Sequence, residues 1–179
     1  MKHETPPLAL ALDQTALDQA RKHLSDGVVT PSYGPWRASV VALLNGALAT
    51  ELVCVLRYKR HHFTAHGLAS PGIATEFMVH AAEEACHADQ LARRIVQLGG
   101  MPDFSPATLL ERSHADYDAS TGLTDMVRAN LVAERIAVEA YRQMIALIGD
   151  KDPTTRQMLE GILRDEEEHA AELADLLQD

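Results

Sequence analysis

Aromatic residues, cysteine and basic residues are all scarce in this chain of 179 residues. Aromatic residues make up 4% of the sequence, and its abundant alanine, leucine and glutamate favour helices over sheets. Two cysteines, Cys54 and Cys86, are too few for a disulfide framework and fit a reducing compartment. Only 16 basic residues stand against 26 acidic ones. The net charge of −10 argues against nucleic acid as a partner and suits a protein that attracts cations.

Long apolar runs are also missing. No uninterrupted apolar stretch approaches the length needed to span a membrane. The N-terminal residues lack an apolar segment followed by a small-residue cleavage site, so we expect no signal peptide. We therefore expect a cytoplasmic protein with no membrane partner. An apolar content of 46% is enough for one core in a domain of this length.

Turn-forming residues divide the chain into two parts. Residues 1–35 are predicted to form an N-terminal extension with a modest helix near residues 8–24. Residues 36–179 are predicted to form the main domain. This domain contains four long helical segments, separated by prolines and glycines that mark their ends.

The four long helices are predicted from residue 36 to about 66, from 70 to about 98, up to Gly149, and from 153 onward. Ser70-Pro71 and Asp152-Pro153 each offer an N-cap followed by a first-turn proline. The connection between the second and third helices holds about two dozen residues, enough to run the length of a helix. It includes a predicted short helix over 105–112. This pattern predicts an all-α four-helix bundle with one long crossover.

Two Glu-x-x-His motifs recur in this domain, and a lone glutamate precedes each at nearly the same distance, 33 residues in one case and 32 in the other. All of these residues fall on the apolar stripe of their helix. The internal repeat therefore predicts two helix hairpins that carry six candidate metal ligands: Glu51, Glu84, His87, Glu134, Glu166 and His169.

The depth of these residues in the bundle agrees with one shared site. In an antiparallel hairpin, two residues lie level when their numbers average to the centre of the loop. Glu51 and Glu84 average to a position near Gly67, and Glu134 and Glu166 average to 150. Four buried carboxylates without partners would each cost several kcal/mol or take up a proton. Two divalent cations would cancel their charge, and a donor set without thiolates favours iron or manganese while also admitting zinc.

Several other polar residues have plainer interpretations. A third Glu-x-x-His sequence, Glu111 to His114, lacks a partner glutamate and is interpreted as a solvated surface segment. The two cysteines are interpreted as small buried hydrophobes, with a redox-active pair as the alternative. Four further histidines could assist metal transit but are interpreted mainly as helix-surface residues: His61, His62, His66 and His80.

From residue 36 onward the chain resembles the ferritin-like superfamily, in particular bacterioferritins and Dps-like proteins with a di-iron centre inside the bundle. The segments that carry the resemblance are 45–58, 84–89, 128–134 and 162–169. The resemblance implies two iron ions per subunit, with Glu84 and Glu134 as bridging ligands. The implied terminal ligands are Glu51 with His87 for one ion, and Glu166 with His169 for the other.

The resemblance also implies a role in oxidation for Tyr58, which lies two turns after the first glutamate. From the residues alone, Tyr58 fits equally well as a core aromatic whose hydroxyl has found a partner. Ala85 stands where bacterioferritins have their haem-ligating methionine, so haem binding by that route is not expected.

The implied function is iron storage and detoxification. Fe²⁺ would be oxidised by O₂ or H₂O₂ at the paired site, and Fe³⁺ would be deposited inside a hollow homo-oligomer. The crossover helix resembles that of the Dps-like dodecamers, and only ten residues follow His169, too few for a fifth helix; both favour 12 subunits over 24. The alternatives are a di-iron or di-manganese peroxidase or catalase without mineral storage, and a DNA-protecting shell that the acidic charge disfavours.

Overall fold

The structure, a computed structural model, describes residues 11–178. No strand occurs in this range, and a 3₁₀ turn at Leu24–Asp26 precedes the long helices. The all-α prediction is confirmed, and the four long helices lie where the sequence predicts them. The helices are α1 (Gln14–Gln19), α2 (Arg37–Thr64), α3 (Ser70–Gln97), α4 (Leu109–Arg112), α5 (Leu123–Ile148) and α6 (Pro153–Asp175).

Contacts between the hairpins define the helix directions. Tyr58 on α2 bonds to Glu134 on α5, whereas the earlier Glu51 bonds to the later Tyr141, so α2 and α5 are antiparallel. The contacts between α3 and α6 alternate in the same way. Because short turns join α2 to α3 and α5 to α6, α3 and α5 run in the same direction. The long crossover between them is therefore confirmed.

The crossover lies along α2 and is held there by polar contacts. The Thr50 hydroxyl accepts a hydrogen bond from the His114 backbone N–H at 2.9 Å. Arg57, which is fully buried, donates to the Asp116 carbonyl at 3.1 Å. The helix in the crossover is α4, which begins four residues later than the predicted range of 105–112.

The two hairpins begin their second helix differently. Asp152 caps α6 as predicted, because its side chain accepts the Thr155 N–H at 3.0 Å. The predicted cap of α3 is wrong: α3 begins at Ser70 itself, with Ala69 in the cap position. The reason is that the Ser70 hydroxyl donates to the carbonyl of Gly67 at 2.7 Å, so it does not accept an N–H of the first turn.

The N-terminal part is less helical than predicted. The helix expected near residues 8–24 is reduced to α1, with Asp13 as its N-cap; residues 8–10 lie outside the described range. Tyr33 and Trp36 pack against the bundle core, and the Tyr33 hydroxyl accepts a hydrogen bond from Arg94 at 2.9 Å. The division of the chain at residue 35 stays a prediction.

The bundle core has two parts, one on each side of the six candidate ligands. We call the larger part the closed end; its buried side chains include Leu44, Leu48, Leu91, Tyr141, Met144, Leu159 and Ile162. We call the opposite part the polar end. It combines a smaller apolar cluster, Cys54, Tyr58, Phe77, Ala81, Met126, Val127 and Leu173, with the buried polar residues Arg57, His61, His80 and Asn130.

Helix α2 is more apolar than the sequence-based expectation allowed. Among the described residues it is the one helix whose length and composition would permit a membrane span, with a mean hydropathy of 1.9 over an 18-residue window. Half of that window is buried in the bundle. The helix also carries Glu51 and Arg57, both buried. Its buried apolar residues belong to the bundle core, whereas Leu56 and Phe63 are exposed.

Candidate di-metal centre

The six predicted ligands come together in the middle of the bundle, and all are buried. They form two overlapping groups of four, and the ligand atoms within each group lie within 4.8 Å of one another. Glu84 and Glu166 belong to both groups. The first group adds Glu51 and His87, and the second adds Glu134 and His169.

This sharing differs from the ligand assignment implied by the resemblance. That assignment made Glu134 a bridging ligand and Glu166 a terminal one, whereas the geometry makes Glu166 common to both groups. The physical reason is the internal repeat. Glu84 and Glu166 occupy equivalent positions of the two hairpins, as do Glu51 and Glu134, so equivalent residues take equivalent roles.

The buried oxygens of the cluster fit bound cations. Within the described part of the chain, several buried ligand atoms have no hydrogen-bond partner: Glu51 Oε2, Glu84 Oε1, Glu134 Oε2, both Glu166 oxygens and His169 Nδ1. Buried acceptors are normally paired, and leaving one unpaired costs about 1–3 kcal/mol. Acceptors that converge without donors need positive charge between them, so this donor set fits two divalent ions.

Both histidines turn the same nitrogen toward the carboxylates. His87 Nδ1 lies 3.1 Å from Glu166 Oε1 and 3.3 Å from Glu84 Oε2. His169 Nδ1 lies 3.6 Å from Glu84 Oε1. In both rings Nδ1 is therefore the atom that would bind a metal.

Acidic residues outside the six hold these rings in place. His87 Nε2 lies 3.4 Å from Asp165 Oδ2, and His169 Nε2 lies 2.9 Å from Glu83 Oε2. A carboxylate on the outer nitrogen favours the tautomer that leaves Nδ1 free for a metal. Sequence reasoning missed both acids. The signal was present, since each acid directly precedes the glutamate of a Glu-x-x-His motif.

Two tyrosines cross between the hairpins. Tyr58 donates to Glu134 Oε1 at 2.5 Å, and Tyr141 donates to Glu51. Burial, followed by the charge of these glutamates, raises the pKa of both tyrosines, which keeps the hydroxyls protonated as donors. Sequence reasoning singled out Tyr58 alone. Tyr141 was detectable, because each tyrosine stands seven residues after a repeat glutamate.

Burial sets the electrostatics of the carboxylates. It raises the pKa of Glu51 and Glu166 well above the usual range, and the nearby charge of Glu84 raises both further. Burial also raises the pKa of Glu84, but interactions with the neighbouring side chains of Glu51, His169 and His87 outweigh it and hold this pKa well below its usual range. Glu84 thus favours the charged form, whereas Glu51 and Glu166 favour the protonated form.

The histidines are shifted in the opposite sense. Burial lowers the pKa of His87, but hydrogen bonds and charge from Glu51 and Glu84 outweigh it and raise the pKa to about 11. Glu84 and Glu134 raise the pKa of His169 to about 9 in the same way. Without metal, protons supply the positive charge that the cluster needs. A metal that binds there must displace them.

The other histidines only partly follow the sequence interpretation. His61 and His80 are buried, so the helix-surface interpretation is wrong for both. Both lie at the polar end, where His61 Nδ1 lies 3.0 Å from the Asn130 amide nitrogen and His80 Nδ1 lies 3.1 Å from the Tyr58 hydroxyl. A helical stripe alone does not reveal such partners, because they come from other helices.

The remaining sequence interpretations can be compared directly. Glu111 and His114 are both exposed, which confirms the surface interpretation of the third motif. The cysteines are both free, but only Cys54 is buried, and Cys86 is exposed. The interpretation of Cys86 as a buried hydrophobe is therefore wrong. Burial raises the pKa of the Cys54 thiol well above its usual value.

Comparison with known proteins agrees with this fold. The model of the ferritin-like domain family matches residues 41–179. A nutrient stress-induced DNA-binding protein of Synechococcus sp. is 32% identical over 137 residues, which cover 75% of this chain and 78% of the relative. A bacterioferritin of Desulfovibrio desulfuricans is 25% identical over 134 residues, which cover 74% of this chain and 71% of the relative.

Among solved structures, the chain is similar to a dodecameric thioferritin, the bacterioferritin-related protein of Bacteroides fragilis. The sequences are 32% identical, and the superposition has a TM-score of 0.77. It covers 80% of this chain and 86% of the other.

Proposed function

The chain belongs to the ferritin-like domain family, and we propose that it is a ferroxidase that oxidises Fe²⁺ at the six-residue centre and stores Fe³⁺ in a hollow homo-oligomer. One observation carries the proposal: six buried metal-binding side chains converge, and their inward carboxylate oxygens lack partners among the described residues. A purely structural role would leave protons as the only compensation for these buried carboxylates.

The two overlapping groups define how each subunit would hold two iron ions. Glu84 and Glu166 would bridge the ions. Glu51 with His87 would complete one ion's ligands, and Glu134 with His169 the other's. Manganese or zinc would enter the same oxygen and nitrogen donor set. Haem is not part of the proposal, because Ala85 cannot ligate it.

Iron supplies the electrons of the reaction. Two Fe²⁺ give one electron each; with two protons these reduce one H₂O₂ to two waters, or one O₂ to H₂O₂. The two groups would hold both ions beside one oxidant, which is the positional advantage of a two-metal site. Tyr58 belongs to the proposed centre as the hydroxyl donor to Glu134.

The proposed assembly is a cytoplasmic shell of 12 subunits, favoured over 24. The Bacteroides fragilis relative is described as dodecameric, and α4 lies within the crossover as expected for the smaller shell. A DNA-protecting role is supported by the names of several relatives, among them the Synechococcus protein. The charge of −10 opposes it. A gel shift at low salt tests it, and unshifted DNA would remove this alternative.

Light scattering combined with Fe²⁺ oxidation tests the main proposal. O₂ and H₂O₂ are supplied separately, and the iron retained after desalting is counted. We expect a particle of about 12 subunits that oxidises Fe²⁺ and keeps many more ions than its centres can hold. A dimer or tetramer that consumes H₂O₂ and retains only about two ions per chain would instead identify a di-metal peroxidase or catalase.

A further inference from the structure

A second set of metal-binding side chains lies at the polar end, beside the six-residue centre. Glu76 and His80 on α3 and Glu172 on α6 each offer one ligand atom within 4.8 Å of the other two. His80 is 1% exposed, and its Nε2 lies 2.9 Å from Glu172 Oε2 and 3.5 Å from Glu76 Oε1. The two glutamate side chains are 45% and 38% exposed, respectively. Two partly exposed carboxylates therefore lie beside the buried imidazole ring of His80.

Hydrogen-bond directions require positive charge at His80 Nε2. The Tyr58 hydroxyl has one proton and donates it to Glu134 at 2.5 Å. The Tyr58 oxygen then accepts from His80 Nδ1 at 3.1 Å, which places a proton on Nδ1. A neutral imidazole of this tautomer has a bare lone pair on Nε2, and here that lone pair faces two carboxylates. Either a proton or a cation must lie among these three acceptors.

The internal repeat shows that this set is an addition to the common design. The equivalent positions of the repeat hold three residues without charge: Met158 and Ile162 on α6 correspond to Glu76 and His80, and Gln90 on α3 corresponds to Glu172. The shared centre does not need the set, since the equivalent half of the centre lacks it. It is therefore a separate feature of the polar end.

We propose that Glu76, His80 and Glu172 form a third cation site, which takes a divalent transition-metal ion such as Fe²⁺. The His80 ring stacks on His169 with ring centroids 4.1 Å apart, so the site borders the centre. His80 and His169 also form a candidate metal group with Glu83, which is half-exposed. An ion at the third site would lie on a polar route from solvent to the centre. The role as a waiting position for Fe²⁺ rests on the proposed ferroxidase function, whereas the cation site itself does not.

Zn²⁺ is a suitable probe because it takes oxygen and nitrogen ligands without redox change. The metal-free, full-length assembly is titrated with Zn²⁺ by calorimetry. The test variant is Glu76→Gln with Glu172→Gln. The matched control is Asp89→Asn with Glu168→Gln, which removes the same charge from exposed positions of the same two helices. We expect the test variant to bind one Zn²⁺ fewer per chain than both the wild type and the control.

Anomalous diffraction from Zn²⁺-soaked crystals locates the ion, and we expect a peak between His80 Nε2 and the two glutamates. Equal Zn²⁺ counts in the test variant and the control, with no peak there, would overturn the site and leave a proton in its place. Glu84→Gln separates the two proposals. Loss of Zn²⁺ from the centre with the His80 peak retained supports an independent third site, whereas loss of both peaks would overturn that independence. A wild type with Zn²⁺ only at the His80 site would disprove the proposed centre and leave this inference intact.

The waiting role has its own readout in Fe²⁺ oxidation. We expect the test variant to need an Fe²⁺ concentration about tenfold higher for its half-maximal rate, with an unchanged maximal rate, because such changes near a metal site alter affinity about 10–100-fold. The same concentration dependence in the test variant and the control would show that ions reach the centre by another route.

Discussion

The closed end and the polar end of the bundle are built from the same repeat but surround the centre differently. At the closed end, Tyr141 lies in the large apolar cluster together with Ile162. At the polar end, Tyr58 occupies the equivalent position, but its hydroxyl also contacts His80, which leads to exposed carboxylates. The repeat thus accounts for the ligands. The two ends differ in the neighbour of the tyrosine: His80 at the polar end contacts a partly exposed carboxylate, whereas the equivalent Ile162 at the closed end is apolar.

The two ends also differ in how much their buried side chains are expected to contribute to the stability of the fold. Fully burying a large aliphatic or aromatic side chain contributes about 1.5–3 kcal/mol, and the closed end has the larger set of such residues. Both ends bury polar residues, but the polar end combines Arg57, His61, His80 and Asn130 with a smaller apolar cluster, and the desolvation of these four must be offset by hydrogen bonds. We therefore expect the closed end to dominate the free energy of unfolding.

The strongest test of the repeat compares a ligand common to both groups with a terminal ligand that belongs to one group. Glu84→Ala should lower the rate of Fe²⁺ oxidation by about 10³-fold or more and remove both metals of the centre, because Glu84 belongs to both groups. Glu51→Ala should remove one metal and leave the other. Metal counts per chain and stopped-flow oxidation measure both effects. Equal loss in the two variants would show that the ligands are not divided into shared and terminal ones.

The second test breaks the closed end. Arg94 donates to both carboxylate oxygens of Asp152 at 2.9 Å, and both residues are buried. Asp152→Asn should destabilise the fold by about 3–5 kcal/mol, because it leaves a buried guanidinium without its charged partner. Denaturant unfolding of the metal-free protein measures this change. A decrease in the free energy of unfolding of less than about 1 kcal/mol would show that this ion pair does not hold α6 in place.

The same ion pair gives a pH dependence. Burial raises the pKa of Asp152, but hydrogen bonds from Thr155 and Arg94 outweigh it and lower this pKa below its usual value. A carboxyl with a lowered folded-state pKa stabilises the fold above its unfolded pKa of about 3.9 and loses that effect as the pH falls through the folded-state pKa. The stability difference between the wild type and Asp152→Asn should therefore shrink below about pH 4. A constant difference across this range would exclude the ionised pair.

The third test compares the two tyrosines. Tyr58→Phe should slow Fe²⁺ oxidation about tenfold, equal to about 1.4 kcal/mol, because it disconnects Glu134 from His80 as well as removing a donor. Tyr141→Phe removes only the donor to Glu51, and its effect should stay within about threefold. Stopped-flow rates at saturating Fe²⁺ decide between them. Equal effects would mean that the neighbours of the tyrosines do not matter.

The smallest expected effect comes from the third Glu-x-x-His sequence, which lies outside both ends. Glu111→Gln should change the oxidation rate by less than about twofold and stability by less than about 0.5 kcal/mol, because Glu111 is exposed. The same rate and unfolding measurements apply. A larger change would assign the crossover a role in the reaction.

Features that depend on neighbouring residues could be predicted from the sequence, whereas contacts between the two hairpins could not. The predicted cap at Asp152 is confirmed because it depends on the next three residues only. The predicted cap at Ser70 failed because a carbonyl of the preceding turn engages its hydroxyl. The burial of His61 and His80 was missed because their partners, Asp118 and Glu172, lie far away in sequence.

The amino-acid sequence by itself determined the four long helices and the six residues that meet at the centre. Spacing within a helix and register within a hairpin are local features, and both occur in each half of the internal repeat. Only the tertiary structure decided that each tyrosine bonds to a glutamate of the other hairpin and that His80 lies between Tyr58 and the partly exposed Glu172. These relations depend on how two hairpins pack side by side, and no interval along one chain encodes that packing.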